Sequence, residues 1–103
     1  MPVIEVKLPE GYGRDAIAID TSVVEAHQMV EFARVIEEDE GQKGIVIGLG
    51  DGTRLMFDGE GKYNPRASAY ETALVQATMK GEEVVGEVEP DPSLRSIYYY
   101  YLS

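Results

Sequence analysis

The sequence predicts an α+β domain: a mainly antiparallel sheet of about five to six strands, with two helices packed on one face, in the order ββαββαββ. Three observations carry this reading. The stretch Gly44–Asp58, GIVIGLGDGTRLMFD, sets two apolar runs on either side of Gly50-Asp51-Gly52. Segments with helical spacing of apolar residues lie before and after it, and shorter alternating segments stand near both ends.

Taken in order, Val3 to Leu8 alternates, with Ile4, Val6 and Leu8 on one face, as a strand requires. Pro9-Glu10-Gly11-Tyr12-Gly13 breaks it, and Ile17 and Ile19 mark a weaker strand over Asp15–Asp20. Ser22 and Glu25 form a capping box that opens a helix to about Asp39, with Ala26, Met29, Val30, Ala33 and Ile36 along one side. On its opposite side His27 and Glu31 stand one turn apart, and its end carries Glu37, Glu38, Asp39 and Glu40. Four acids oppose the negative end of a helix dipole, so this end is either a frayed, solvated terminus or a contact for basic groups.

The Gly44–Asp58 stretch reads as a β-hairpin, because Asp-Gly tolerates the positive φ that a tight turn demands. After the glycine-rich loop Asp58–Tyr63, either Asn64-Pro65 or a competing capping box at Ser68 and Glu71 starts a second helix that ends near Lys80-Gly81, with Tyr70, Ala73, Leu74 and Ala77 expected on its buried face. Glu82–Glu89 alternates imperfectly around Val84, Val85 and Val88 and is expected to be a strand. Pro90-Asp91-Pro92-Ser93 turns the chain into a last strand, Ile97–Leu102, where four consecutive tyrosines place aromatic rings on both faces. Either Tyr98 and Tyr100 cover the core and Tyr99 and Tyr101 face outward, or the reverse.

Length and charge narrow the function. The 103 residues suit one domain, 1–103, with a single small core. There is no cysteine, and MPVIEVKLPE shows no secretory pattern, so the cytoplasm is the expected compartment. Nineteen acidic residues against nine basic ones give a formal charge of −10. That field repels nucleic-acid backbones and anionic membranes and attracts basic surfaces.

Chemical motifs are weak. Gly48-Leu49-Gly50 lacks the third glycine of a dinucleotide loop, since Thr53 stands there and a strand follows. Gly61-Lys62 lacks the other P-loop residues. Asp58 and Glu60 resemble the start of a calcium loop, but Lys62 and Ala69 occupy positions that need ligands. With a single histidine and no cysteine, neither zinc nor any other metal or cofactor is expected. No nucleophile and base stand out, so the chain reads as a non-enzymatic protein.

The leading expectation is a small acidic protein that docks on and inhibits a basic partner, such as a nuclease or another nucleic-acid-binding protein. It is similar in size and charge, though in no motif, to viral or bacterial inhibitors such as phage anti-defence or anti-CRISPR-type proteins and toxin-immunity proteins. Glu31, Glu37, Glu38, Asp39, Glu40, Tyr99 and Tyr101 would form the contact. An alternative is a small anionic-ligand binding protein or enzyme subunit, with a site for a nucleotide-like molecule built from Tyr12, Arg14, Lys62, Tyr63 and Arg66 on the loops at 9–14 and 58–64 and just beyond. A self-assembling structural protein is the second alternative, and the tyrosine strand also allows a homodimer.

Overall fold

The computed structural model describes residues 3–20, 30–37, 41, 43–95 and 97–102. Its elements are strands β1 (Val3–Lys7), β2 (Ala16–Asp20), β3 (Val30–Glu37), β4 (Lys43–Leu49) and β5 (Arg54–Phe57), helix α1 (Pro65–Lys80) and strand β6 (Tyr98–Leu102). The strands form two antiparallel three-stranded sheets, β1-β2-β6 and β3-β4-β5. The inner face of the first sheet supplies Val6, Ile17 and Ile19, and that of the second supplies Ile45, Ile47, Leu49, Leu55 and Phe57. With Ile97 they make one apolar core, and the Phe57 and Tyr99 rings meet edge to face across the sheets at 5.2 Å.

This architecture corrects the expected single sheet with two helices. Residues 30–37, placed in the first expected helix, form β3 instead. Its Val, Phe and Ile content favours a strand, and an irregularity explains the misleading spacing. The register with β4 shifts between Val30 and Phe32, so Val30 and Ala33 both reach the core although they stand three residues apart. A β-bulge thereby imitates the spacing of a helix face. The rest of that expected helix, Ser22 to Met29 with His27, and Glu38 and Asp39, lies outside the described residues. Glu82–Glu89 is not a strand either: Gly86 turns the chain with φ of 89°, and Val85 is 90% exposed.

Helix α1 begins where Asn64 accepts a hydrogen bond from the Ala67 amide, and Pro65 fills the first turn. It ends at Gly81, in the left-handed region, where the Gly81 and Glu82 amides bond Thr78 and Ala77. The face it turns to the sheet is polar, which corrects the expected Tyr70–Ala77 stripe. Ser68 is its buried residue and Tyr70 is exposed. The Arg54 and Met56 amides, on the free edge of β5, donate to Thr72 Oγ1 and Ser68 Oγ, each at 2.8 Å. Thr72 Oγ1 returns a bond to the Arg54 carbonyl, the Asn64 amide bonds the Met56 carbonyl, and Gln76 reaches Asp51. Asn64, Ser68, Thr72 and Gln76, spaced by four, thus pair an edge that would otherwise be open.

Two turns share one design. In the β4–β5 hairpin, Leu49 N–H bonds the Thr53 carbonyl and Gly52 N–H bonds the Leu49 carbonyl. After β5, Asp58 N–H bonds the Lys62 carbonyl and Gly61 N–H bonds the Asp58 carbonyl. Gly50-Asp51-Gly52 and Gly59-Glu60-Gly61 therefore form equivalent three-residue loops, each with its last glycine at positive φ. The second loop returns Tyr63 to pair with Phe57, which doubles the chain back toward the ends of β2 and β6.

Candidate functional site

The second of these turns meets the first sheet at one end of the core. Gly61 lies so near the hydroxyls of Tyr99 and Tyr101 that a side chain at this position would collide with both. Gly59 likewise approaches the Lys43 carbonyl at the start of β4. Asp58 Oδ1 accepts from the Glu60 and Lys62 amides at 2.9 and 2.8 Å, so this carboxylate holds the loop in shape. The loop after β1 arrives from the other side. Tyr12 and Tyr101 share a hydroxyl–hydroxyl bond of 3.0 Å, Arg14 lies 4.8 Å above the Tyr101 ring, and Lys43 Nζ donates to the Gly11 carbonyl. Together Tyr12, Arg14, Lys43, Gly59, Glu60 and Tyr101 line an open cleft of about 390 Å³.

Burial raises the pKa of Tyr101 above the ordinary tyrosine value; its bond to Tyr12 adds to the rise and Arg14 opposes it. Tyr99 is raised by burial and then by neighbouring Tyr101 and the acids of the 58–60 turn. These hydroxyls therefore remain protonated and able to donate through neutral pH. Tyr63 is raised as well, chiefly by burial.

The outward face of the first sheet has a different character. Register places Val3, Asp20 and Tyr98 in one row, Glu5, Ala18 and Tyr100 in the next, and Lys7, Ala16 and Leu102 in the third. Tyr98, Tyr100 and Val3 are 71%, 51% and 48% exposed, around a floor of buried Ala16 and Ala18. Asp20 Oδ1 is shut off from solvent and has no hydrogen-bond donor among the described residues. Such an acceptor costs about 1–3 kcal/mol when left unmade.

The expected site residues divide among these places. Tyr12 and Arg14 come together, with Tyr101 completing their cleft. Lys62 and Arg66 are exposed away from it, and Tyr63 packs on Phe57. Tyr63 lines another cleft, of about 320 Å³, between α1 and residues 88–94. Tyr99 and Tyr101 pack against the core, so of the two orientations considered, Tyr98 and Tyr100 are the outward pair. Glu31 and Glu37 are exposed on β3, where Glu37 pairs in register with Lys43. Glu38, Asp39 and Glu40 lie outside the described residues.

Sequence reasoning passed over Lys43, although the Gly-Glu-Gly repeat of the hairpin turn was a signal that its neighbouring loop would fold back. It had no signal for Asp20. Among the described residues, no three histidine, cysteine or acidic side chains cluster in a way that could hold a metal ion, and no helix is long and apolar enough to cross a membrane. No protein-family model matches the chain, and neither a curated protein nor a solved structure matches it.

Proposed function

We propose that the protein is a non-enzymatic cytoplasmic docking protein that covers a basic surface of a nucleic-acid-binding protein and thereby inhibits it. The observation that carries the reading is the outward face of β1-β2-β6, where Tyr98 and Tyr100 stand exposed beside Val3 on a chain of charge −10. Tyrosine contributes contact area at small entropic cost, and the charge steers basic partners. At about 4.8 Å between strands and 3.3 Å per residue the face measures roughly 15 by 17 Å. A stable complex buries about 800 Å² on each partner, so this face is the centre of the contact and the surrounding acids form its rim.

The test is capture from bacterial lysate on the immobilised protein, followed by titration of the purified partner. A basic nucleic-acid-binding protein should bind, release as salt rises, lose its activity in the complex, and bind at least about tenfold more weakly to Tyr98→Ser/Tyr100→Ser. Equal binding by that variant would remove the tyrosine face from the reading. A captured partner that is acidic, or whose binding is insensitive to salt, would remove the charge argument.

A further inference from the structure

The cleft beside Tyr101 gathers two cations of an acidic chain, with one acid, Glu60, in its lining. Arg14 and Lys43 both line it, and neither forms an ion pair among the described residues. Arg14 instead lies over the Tyr101 ring and Lys43 bonds a backbone carbonyl. Glu60 shares this lining and Lys43 also borders Asp58 and Glu60 in an adjoining cleft, so both cations stand near carboxylates without pairing to them.

The donors converge. Tyr12 and Tyr101 share one hydroxyl hydrogen between them, which leaves the other for a further acceptor. The Tyr101 ring, 4.8 Å from the Arg14 guanidinium carbon, attracts that cation to the cleft. Its fork of N–H groups, the Lys43 ammonium with its remaining hydrogens and a tyrosine hydroxyl offer donors from three separate side chains. A carboxylate presents two oxygens, whereas a terminal phosphate presents three and takes both a bidentate guanidinium and a point charge. The volume of about 390 Å³ falls within the range of small-molecule sites, roughly 300–1,000 Å³.

We infer that this cleft binds a phosphorylated small molecule, with its phosphate held by Arg14, Lys43 and the Tyr12–Tyr101 hydroxyl pair. Glu60, on the turn that forms one wall, opposes the anion and sets the affinity low enough for release. Tyr101 is on the face of β6 opposite Tyr98 and Tyr100, so the cleft and the docking face can be altered separately.

The experiment is an amide NMR titration of the full chain with inorganic phosphate, adenosine monophosphate and acetate at matched ionic strength. Phosphate and the nucleotide should shift amides at 11–14, 43, 59–61 and 101, with acetate at least about tenfold weaker. Equal affinities for phosphate and nucleotide would assign recognition to the phosphate group alone, and a tighter nucleotide would extend the site to its base and sugar. Arg14→Ala should weaken binding at least about tenfold, Arg14→Lys should restore part of the loss, and Glu60→Gln should tighten binding several-fold. Lys43→Gln provides a second reduction should Arg14→Ala alter the thermal melt. Shifts that are absent at millimolar phosphate, that acetate reproduces, or that survive both charge removals would overturn the site.

Discussion

The two sheets treat their boundaries in opposite ways. In β3-β4-β5 the free edge of β5 is paired by Ser68 and Thr72 of α1, and the outer face is closed where Phe32 lies over Gly48. In β1-β2-β6 the edge strand β6 receives no backbone bond from outside its sheet among the described residues, and the outer face shows Tyr98 and Tyr100. Strand edges and flat apolar faces invite association unless they are covered. One sheet has its β5 edge and part of its outer face covered by this chain's own residues, and the other leaves its β6 edge and tyrosine face uncovered among the described residues.

The strongest way to break that contrast is to reopen β5. Ser68→Ala/Thr72→Ala leaves the Arg54 and Met56 amides without their side-chain acceptors. Each amide costs about 1–3 kcal/mol if it stays buried, so the pair should lower unfolding stability by about 2–6 kcal/mol in urea. Hydrogen exchange at Arg54 and Met56 should accelerate more than at Ile45 and Ile47, within the central strand. A uniform change would mean that α1 acts through general packing rather than through these two hydroxyls.

Closure of the outer face is tested next. A methyl group at Gly48 would drive into the Phe32 ring, which also carries the Arg34 and Arg54 guanidinium groups at 5.0 and 4.9 Å. Gly48→Ala should therefore displace the ring and cost about 1–3 kcal/mol, as overpacking does. Proton NMR should show the ring-current shifts of the Arg34 and Arg54 side chains collapse. Unchanged shifts would show that the ring is not fixed over the glycine.

This contrast also explains what could be read in the sequence. The hairpin was legible because its signals are local: β-branched and apolar runs on either side of an Asp-Gly turn. Helix α1 was legible in its ends, since Asn64-Pro65 and Gly81 have direct backbone reasons, but its buried side was not. Apolar Tyr70 and Leu74 suggest core packing, whereas the sheet edge needs hydroxyls, a requirement that exists only once β5 is placed beside the helix. The error over residues 30–37 has the same source, because a bulge set by pairing with β4 gave a strand the spacing of a helix. In the cleft, Tyr12 and Arg14 were found as a loop pair, but Lys43 and Tyr101 join them from strands distant in sequence.

Alkaline pH tests the inward side of β6. Tyr63, Tyr99 and Tyr101 have pKa values raised in the folded chain, so the fold favours their neutral forms. Their contribution is complete below about pH 10, the ordinary tyrosine value, and is lost as pH rises through the folded values. Stability from urea melts should thus decline as pH rises above about 10. Tyr99→Phe/Tyr101→Phe should flatten the decline, because those rings no longer ionise. A slope unchanged in that variant would assign the loss to general charge repulsion.

The smallest expected effect sharpens the contrast most. Tyr98→Ser/Tyr100→Ser removes exposed rings from a face that no other described residue covers, so the loss of stability should stay below about 1 kcal/mol, the range of strand propensity. The same variant should keep the Tyr99–Phe57 edge-to-face contact, visible as an unchanged near-ultraviolet spectrum after allowance for the two lost tyrosines. A near-neutral fold together with impaired partner binding would separate what these rings do for association from what they do for folding. A cost comparable to Ser68→Ala/Thr72→Ala would instead make the tyrosine face part of the fold's own packing, and the asymmetry between the sheets would then say nothing about a partner.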